Sequence, residues 1–374
     1  MQILVVGGGI QGLAIAAELA RDGHLVQVVE RERPGSRASW VAAGLLTPSS
    51  PWRYPPQLIE LCHASEALYE GFVRDLIGHT GIDPQYENAG MIYPEGLGFD
   101  ADVIAEHTAL RNGLGFEVQH KDRAALDALQ PGLGNEVTGG AWQPHSARVR
   151  SPRLLRAAHK LALQLGVSVE SECEVTALAE SNGRVSGVQL KGGQLLEAEC
   201  VVLAAGSWSG QLAAGLGLTL DVRPVRGQIL LLKGPPGLLR PTINDGLCYL
   251  VPRNDGRILV GSTMEDVGFE ACTEPEDLAR LREMAARLMP ATKDMAVETD
   301  WAGLRPGTAD RLPYIGPVDD LPGLVLATGH FRNGILLAPI TAKLVAEVVA
   351  GCTPSLDISA YAPRPVDVER ALLS

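Results

Sequence analysis

The chain has 374 residues, of which 46% are hydrophobic and 20% are charged, and its net charge is −12. This length allows about two domains, and the acidic balance argues against nucleic acid or an anionic membrane surface as a partner. Six scattered cysteines form no C-x-x-C pair and eight histidines form no H-E-x-x-H motif, so we expect no metal site and no disulfide framework. Reduced thiols and the lack of a basic leader predict a cytoplasmic protein.

The N-terminal segment predicts a nucleotide-binding unit. A strand, a helix and a second strand are predicted at Gln2 to Val6, Ile10 to Arg21 and Leu25 to Val29. In the G-x-G-x-x-G turn between the first two, Gly7 allows the tight turn, Gly9 lets the backbone approach a pyrophosphate, and Gly12 lets helix and strand pack closely. Glu30, after the second strand, can accept hydrogen bonds from ribose hydroxyls. The pattern indicates dinucleotide binding; the alternative is a tight turn in an unrelated α/β domain.

Three later segments predict helices. Apolar residues recur at helical spacing from Leu58 to Ile77. Ser151 as N-cap and Pro152 at the first helical position begin a second helix. The segment from Ile335 to Ala350 is interrupted by a proline and two charged residues, so it predicts a core helix and not a membrane span.

The strand pattern predicts two domains. Cys200 to Ala204 reads as a buried strand that stops at Ala205 and Gly206, where backbone can approach a cofactor. From Arg226 onward, short strands separated by turns predict an antiparallel sheet. The predicted division assigns residues 1–80, 145–225 and 300–374 to a discontinuous nucleotide-binding domain and residues 81–144 and 226–299 to a substrate domain.

Two arginines near the C-terminus are candidates for binding an anionic substrate. Arg305 lies in W-A-G-L-R-P-G and Arg332 in G-H-F-R-N-G, both predicted to be loops. The planar guanidinium fork matches a carboxylate, although both arginines could instead pair with acids or bond loop carbonyls. The hydroxyl of Tyr249 could bond a substrate or the ring could pack in the core. His330 could stabilise its loop or, less readily, act as a general base.

The glycine-bounded turn from Gly329 to Leu336 enters the last helix. Its free N–H groups could face an electron-rich ring, such as the pyrimidine end of a flavin. A nicotinamide makes no such demand, so this turn favours FAD over NAD.

Six segments are similar to a known family across nearly the whole chain. They are GGGIQG, SWVAAGLL, VVLAAGSWSG, YLVPRNDGRILVGSTMED, WAGLRPGTADRLPYIGP and GHFRNGILLAPITA. The chain resembles the D-amino-acid oxidase superfamily of flavoproteins, and within it the enzymes that oxidise glycine for thiamine biosynthesis. The resemblance implies an α/β fold, with a discontinuous Rossmann-like FAD-binding domain and a substrate domain built on an antiparallel sheet.

The resemblance also assigns residues. Arg305 and Arg332 are expected to contact the substrate carboxylate, and Tyr249 to line the pocket. The expected FAD contacts are Gly7, Gly9, Ile10, Gln11, Gly12, Glu30, Arg31, Ala38, Ser39, Ala43, Gly44, Leu45, Val175, Ala205, Gly206, Trp208, Gly303, His330, Phe331, Arg332, Asn333, Gly334, Ile335 and Leu336. No cysteine lies near the C-terminal flavin segment, so we expect non-covalent FAD. No side-chain base is expected, because an amine that arrives neutral can release a hydride from Cα.

The implied reaction converts glycine, or small amines such as sarcosine and D-alanine, to glyoxylate, ammonia and H₂O₂ with O₂ as acceptor. Two other functions stay open: an oxidase or dehydrogenase of larger D-amino acids or N-methylated amines, and the flavin subunit of a cyanide-forming glycine dehydrogenase complex. A homo-oligomer, a tetramer by resemblance, is expected. Two residues depart from the family pattern: Trp40 stands where a small residue is usual, and Leu247 where relatives can carry histidine.

Overall fold

The computed structural model of the chain describes residues 1–47 and 54–365. The α-helices of these residues are α1 (Ile10–Arg21), α2 (Ala38–Val41), α3 (Pro56–Thr80), α4 (Ala101–Gly113), α5 (Arg123–Leu129), α6 (Ser151–Gln164), α7 (Ser209–Ala214), α8 (Pro275–Leu288) and α9 (Ala338–Val349). The β-strands are β1 (Gln2–Val6), β2 (Leu25–Val29), β3 (Glu87–Asn88), β4 (Met91–Pro94), β5 (Gln119–Asp122), β6 (Gly139–Gln143), β7 (Ala147–Arg148), β8 (Ser168–Glu170), β9 (Val175–Ser181), β10 (Arg184–Leu190), β11 (Leu195–Glu197), β12 (Cys200–Leu203), β13 (Arg223–Lys233), β14 (Thr242–Asn244), β15 (Tyr249–Pro252), β16 (Arg257–Gly261), β17 (Ala296–Gly307), β18 (Tyr314–Pro317) and β19 (Leu324–Thr328).

A six-stranded sheet is buried on both faces. Its strand order is β18-β19-β12-β1-β2-β8, and all neighbours are parallel except β18 and β19. In β1, Ile3 and Val5 face a core built with α1, α3, α6 and α9, whereas Leu4 and Val6 face a core shared with the three-stranded sheet β11-β10-β9. Because both faces are covered, the strand is apolar at every inner position. The predicted strand–helix–strand unit is confirmed.

The second large sheet has eight strands in the order β17-β13-β16-β15-β14-β4-β6-β5. It is antiparallel except for the β14–β4 pair. Alternate residues face opposite sides: Leu230 and Leu232 pack with α5 and α8. Ile229 and Tyr249 lie on the other face and pack with Ala43, which precedes β3 in the chain. This face therefore meets the loops of the first sheet.

Two sequence predictions need correction. Ser151 is the first helical residue and not the N-cap, which is Arg150; the Ser151 hydroxyl instead donates to the carbonyl of Ala42 at 2.8 Å. Arg305 does not lie in a loop, because β17 continues to Gly307 and pairs Arg305 with Val225. A strand tolerates the following proline here because β17 is the edge strand of its sheet.

The predicted domain division stays a prediction. Strand β17 begins at Ala296 and belongs to the eight-stranded sheet, so it crosses the boundary predicted at residue 300. The end of the last predicted range, residues 366–374, lies outside the described residues. In the part of the chain that is described, no helix combines the length and the apolar composition needed to cross a bilayer.

Candidate active site

A cavity of about 450 Å³ lies between the ends of the parallel strands and the eight-stranded sheet. Most of the predicted site residues line it: Gly7, Gly9, Ile10, Gln11, Glu30, Arg31, Ala38, Ser39, Ala43, Gly44, Leu45, Val175, Ala205, Gly206, Trp208, Tyr249, Gly303, Arg305, His330, Phe331, Arg332, Asn333, Gly334 and Ile335. Gly12 and Leu336 lie behind this lining. Segments more than three hundred residues apart thus meet in one cavity.

One end of the cavity is shaped by glycine backbone. Gly7 has a φ of +111°, and a Cβ there would lie 2.5 Å from the carbonyl oxygen of Ala204. A Cβ on Gly12 would lie 1.9 Å from the carbonyl oxygen of Gly7, so only glycine lets α1 approach the turn. The carboxylate of Glu30 accepts from the Gly8 N–H at 2.7 Å, which holds it beside the turn. The Ser39 hydroxyl accepts from the Ile10 N–H at 3.1 Å.

The segment around Gly44 is held by side chains that the sequence did not reveal. Gly44 has a φ of +78°, and a Cβ there would lie 2.0 Å from the carbonyl oxygen of Val149. The buried guanidinium of Arg253 donates to the carbonyls of Val149 and Ala43, at 3.0 and 2.7 Å. Burial lowers the pKa of Arg253 to about 9, a cost offset by these two bonds. Arg253 lies in the YLVPR segment, but nothing in that segment indicates which carbonyls it binds.

Arg31 and Trp208 lie beside Glu30 at the same end. The Arg31 guanidinium carbon is 3.6 Å from the centroid of the Trp208 ring, a cation–π contact that joins the end of β2 to the turn after β12. Val175, at the start of β9, also lines this end. The cavity end therefore combines exposed backbone, a carboxylate and a flat aromatic surface, as an adenosine diphosphate group requires.

The turn from residues 330–337 forms the floor of the cavity. Three successive carbonyls accept hydrogen bonds from buried side chains: Gly334 from Gln11 Nε2 at 2.7 Å, Ile335 from Tyr69 at 3.0 Å, and Leu336 from Ser65 at 2.6 Å. Within residues 1–47 and 54–365, the N–H groups of Gly334, Ile335 and Leu336 donate to no acceptor.

Ser65 and Tyr69 are missing from the predicted site. A signal was present, because a serine and a tyrosine four residues apart on an apolar helix face require hydrogen-bond partners when buried. The sequence could not identify those partners, which lie 271 and 266 residues further along the chain.

His330 supports this turn and is not suited to accept a proton. Its Nε2 lies 3.1 Å from the Thr341 hydroxyl in α9, and the side chain is buried. Burial lowers the pKa of His330 to about 3, so the ring is neutral at neutral pH. The loop-stabilising interpretation therefore fits its contacts better than a general base does.

The other end of the cavity carries two arginines. Nη1 of Arg305 donates to the carbonyls of Arg226 and Thr263 at 3.3 and 3.1 Å, and Nη2 donates to the Ser262 hydroxyl at 2.5 Å. Arg332 has no hydrogen bond or ion pair with any residue in the described ranges. Burial lowers the pKa of Arg305; Tyr249 opposes this shift and the charge of Arg332 adds to it. The two cations are therefore close enough to repel, and a bound carboxylate would relieve that repulsion.

The comparison with known proteins agrees with this geometry. The profile of the FAD dependent oxidoreductase family, abbreviated DAO, matches residues 2–348. The chain belongs to this family. It is 38% identical to the glycine oxidase of Pseudomonas putida over 97% of this chain and 98% of the relative. It is 37% identical to the bifunctional protein ThiO/ThiG of Synechocystis sp., over 97% of this chain and 53% of that protein.

Among solved structures, the glycine oxidase of Geobacillus kaustophilus superposes with a TM-score of 0.93 at 32% identity, over 97% of this chain and 98% of that one. The predicted family, the fold class and the FAD-dependent oxidoreductase activity are confirmed. FAD is the cofactor of this enzyme.

The residues of the cavity fit FAD. The glycine turn and the N-terminus of α1 match a pyrophosphate, and Glu30 matches the adenosine ribose. Gln11 lines the middle of the cavity, and its buried Oε1 has no hydrogen-bond partner among the described residues. A buried acceptor of this kind is satisfied by a donor on a bound ligand. The free N–H groups of the 330–337 turn match the flavin ring.

The two departures from the family pattern lie outside the cavity lining. Trp40 is 40% exposed and contacts Trp301 edge to face, with ring centroids 5.4 Å apart. The Trp301 indole N–H donates to the carbonyl of Val41 at 3.1 Å, which joins α2 to β17. Leu247 is 65% exposed in the turn before β15.

Proposed function

We propose that this flavoenzyme is a glycine oxidase that converts glycine, O₂ and water to glyoxylate, ammonia and H₂O₂, and that supplies the imine precursor for thiazole formation in thiamine biosynthesis. The observation that carries the proposal is the cationic pair of Arg305 and Arg332 at the end of the FAD cavity. The names of the relatives, glycine oxidase and ThiO/ThiG, support the choice of substrate and pathway.

The two arginines serve different tasks in this proposal. Arg332, which has no hydrogen-bond partner among the described residues, binds the substrate carboxylate as a fork. Arg305 is held by two carbonyls and a hydroxyl, so it presents a fixed positive charge to the same carboxylate. Tyr249 is buried beside Arg305 and closes the pocket on the side of the eight-stranded sheet.

Bound FAD supplies the hydride acceptor and afterwards passes the electrons to O₂. The protein orients the substrate and excludes water, since the cavity wall around Tyr249 is apolar. Among the described residues, the histidine nearest in sequence to Arg332 is poorly suited to take a proton from the amine, because burial lowers the pKa of His330 to about 3 and its Nε2 lies within hydrogen-bond distance of the Thr341 hydroxyl. The amine must therefore arrive deprotonated, and we expect the rate to rise with pH up to the pKa of the bound amine.

The test is an anaerobic titration of the purified holoenzyme. We expect glycine to bleach the oxidised flavin absorption, with sarcosine and D-alanine reacting more weakly. A preference for D-proline or bulky D-amino acids would overturn the glycine assignment. Admission of O₂ should then restore the spectrum and release one H₂O₂ per glycine. Bleaching by glycine without rapid recovery in O₂ would instead indicate the subunit of a dehydrogenase complex.

Further properties belong to the same proposal. We propose that FAD is bound without a covalent bond, so that acid precipitation releases it into the supernatant. Cytoplasmic location, assembly into a homo-oligomer and the two-domain division stay predictions. Gel filtration of the holoenzyme with light scattering tests the oligomer directly.

A further inference from the structure

The turn before α9 lacks one of the backbone hydrogen bonds of a regular helix. In a regular helix the carbonyl of Ile335 would accept from the backbone N–H of residue 339, but that residue is a proline and has no N–H. The N–H of Ala338 reaches the same carbonyl only at 3.5 Å. The Tyr69 hydroxyl donates to it at 3.0 Å and so replaces the missing partner.

Holding a carbonyl also fixes the N–H on the other side of the same peptide bond. The peptide unit is planar and trans, so its N–H points opposite to its C=O. Tyr69 therefore sets the direction of the Leu336 N–H, and Gln11 sets that of the Ile335 N–H. Both N–H groups lack an acceptor within the described residues, next to Gly334 and Ile335 in the cavity lining. They are oriented donors: the Ile335 N–H belongs to a residue of the cavity lining, and the Leu336 N–H lies on the peptide that follows it.

Ser65 holds the following peptide in the same way. Its hydroxyl donates to the carbonyl of Leu336 at 2.6 Å, and the N–H of that peptide, on Leu337, donates to the carbonyl of Asn333 at 2.8 Å. Ser65 and Tyr69 are four residues apart in α3, so they lie on one face of the helix. Both are fully buried and do not line the cavity. Burial raises the pKa of Tyr69 well above its usual value, so its hydroxyl stays a donor.

We propose that Tyr69, with Ser65 behind it, is a positioning residue that tunes the reduction potential of the bound FAD by fixing the Ile335–Leu336 peptide. A flavin gains negative charge at its pyrimidine end on reduction, and oriented N–H groups stabilise that charge. The inference rests on FAD binding, which family membership establishes, and on the proposed position of the flavin ring over the turn. It does not depend on which amine is the substrate.

The test is the reduction potential of the Tyr69→Phe holoenzyme. It is measured by anaerobic equilibration with a reference dye and a chemical reductant, with no amine present. We expect reduction to become about tenfold less favourable, which for a two-electron couple is about 30 mV more negative. Ser65→Ala should shift the potential in the same direction by less. Because glycine takes no part, failure of the glycine assignment cannot produce or hide this result.

A matched control is a second buried tyrosine that donates to a carbonyl in α3. Tyr361 is also buried, and its hydroxyl donates to the carbonyl of Gln57 near the start of α3 at 2.8 Å, remote from the turn. Tyr361→Phe removes a comparable hydrogen bond and should leave the potential unchanged. An unchanged potential in Tyr69→Phe, or an equal shift in Tyr361→Phe, overturns the proposal. If Tyr69→Phe does not retain FAD, Ser65→Ala decides by the same measurement.

A rescue variant tests whether Tyr69 alters the reduction potential by holding the carbonyl of Ile335. Pro339→Ala restores a backbone N–H at the position that can reach the carbonyl of Ile335. Combined with Tyr69→Phe, it should recover part of the lost potential. If the single variant is shifted and the double variant shows no recovery, the hydroxyl does not act by anchoring this carbonyl and the proposal is wrong.

Discussion

The two ends of the FAD cavity are built on different principles. The nucleotide end is local and consists of backbone: Gly7, Gly12 and Glu30 lie in one strand–helix–strand unit, and the bond from Gly8 to Glu30 joins residues 22 apart. The end proposed to bind the amine is assembled from β17 and the 330–337 turn and carries charge: Arg305 binds carbonyls 79 and 42 residues away. The first end depends on glycines, because a Cβ at Gly7 or Gly12 would clash with backbone atoms. The second end depends on charged groups that the fold must bring together.

This difference predicts that substitutions at the two ends affect different properties of the enzyme. A substitution at the nucleotide end should abolish or weaken FAD binding without altering the chemistry of what remains bound. A substitution at the amine end should spare FAD and change turnover. The following experiments test that separation.

The largest effect is expected for Gly12→Ala. The added Cβ would lie 1.9 Å from the carbonyl oxygen of Gly7, so α1 must move away from the turn. We expect the purified protein to contain almost no flavin, as measured by its absorption spectrum. Gly71→Ala is the control, because Gly71 lies in α3 with open space around it. That change should raise the free energy of unfolding by about 0.5–1 kcal/mol. Normal flavin content in Gly12→Ala would contradict the role of close packing.

Arg332→Ala should affect only the amine end. Loss of a charge-assisted contact of about 3 kcal/mol predicts a fall of about 100-fold in kcat/KM for glycine, measured by H₂O₂ formation. Flavin content and thermal stability should be unchanged, because Arg332 has no partner within the described residues. Arg287→Ala, which removes an exposed partner of Glu136, is the control. Equal kcat/KM in Arg332→Ala and the parent enzyme would contradict carboxylate binding.

Arg305→Ala tests whether Arg305, unlike Arg332, also stabilises the fold. It leaves the carbonyls of Arg226 and Thr263 and the Ser262 hydroxyl without this donor, so we expect the free energy of unfolding to fall by about 2–4 kcal/mol as well. Chemical denaturation of Arg305→Ala and Arg332→Ala measures the difference between their free energies of unfolding. Equal stability of Arg332→Ala and Arg305→Ala would show that the observed contacts of Arg305 do not stabilise the sheet.

Glu30→Ala should weaken FAD binding while leaving turnover intact. Loss of hydrogen bonds from a carboxylate to the ribose predicts a rise of about 10- to 100-fold in the dissociation constant of FAD. At saturating FAD, kcat should be that of the parent enzyme. Glu298→Ala is the control, because Glu298 pairs with Arg257 and neither residue lines the cavity. A changed kcat for Glu30→Ala would mean that the two ends are not independent.

The smallest effect is expected for the free energy of unfolding at acid pH, through His330 in the 330–337 turn. Burial lowers the pKa of His330 in the folded protein to about 3, whereas the pKa of a histidine in the unfolded chain is about 6.5. Between these values the unfolded chain binds the extra proton, so stability falls as pH falls. Relative to His330→Gln, the parent holoenzyme should lose about 2 kcal/mol between about pH 7.5 and pH 5. Parallel pH profiles in denaturant titrations would contradict this.

The elements that sequence periodicity predicted best are those whose neighbours are close in the chain. The β1–α1–β2 unit was predicted at its observed bounds, because its glycines, apolar strands and acid interact with one another. Arg305 was predicted to lie in a loop, because the flanking glycine and proline suggest a turn. Its strand exists because β13 pairs with it from Arg223↔Gly307 onward, and an edge position tolerates the proline.

The amino-acid sequence by itself determined the nucleotide cradle, since its glycines and Glu30 lie at short, fixed spacings. Residue type made the two arginines candidates, and the resemblance of six segments to a flavoprotein family gave the cofactor class. Only the tertiary structure decided that Arg305 is anchored by hydrogen bonds, whereas Arg332 has no hydrogen-bond or ion-pair partner within residues 1–47 and 54–365. It also decided that Tyr69 and Ser65 hold the 330–337 turn. Those roles depend on which carbonyls come within 3.3 Å of which side chains across 42 to 271 residues, a distance that no local pattern encodes.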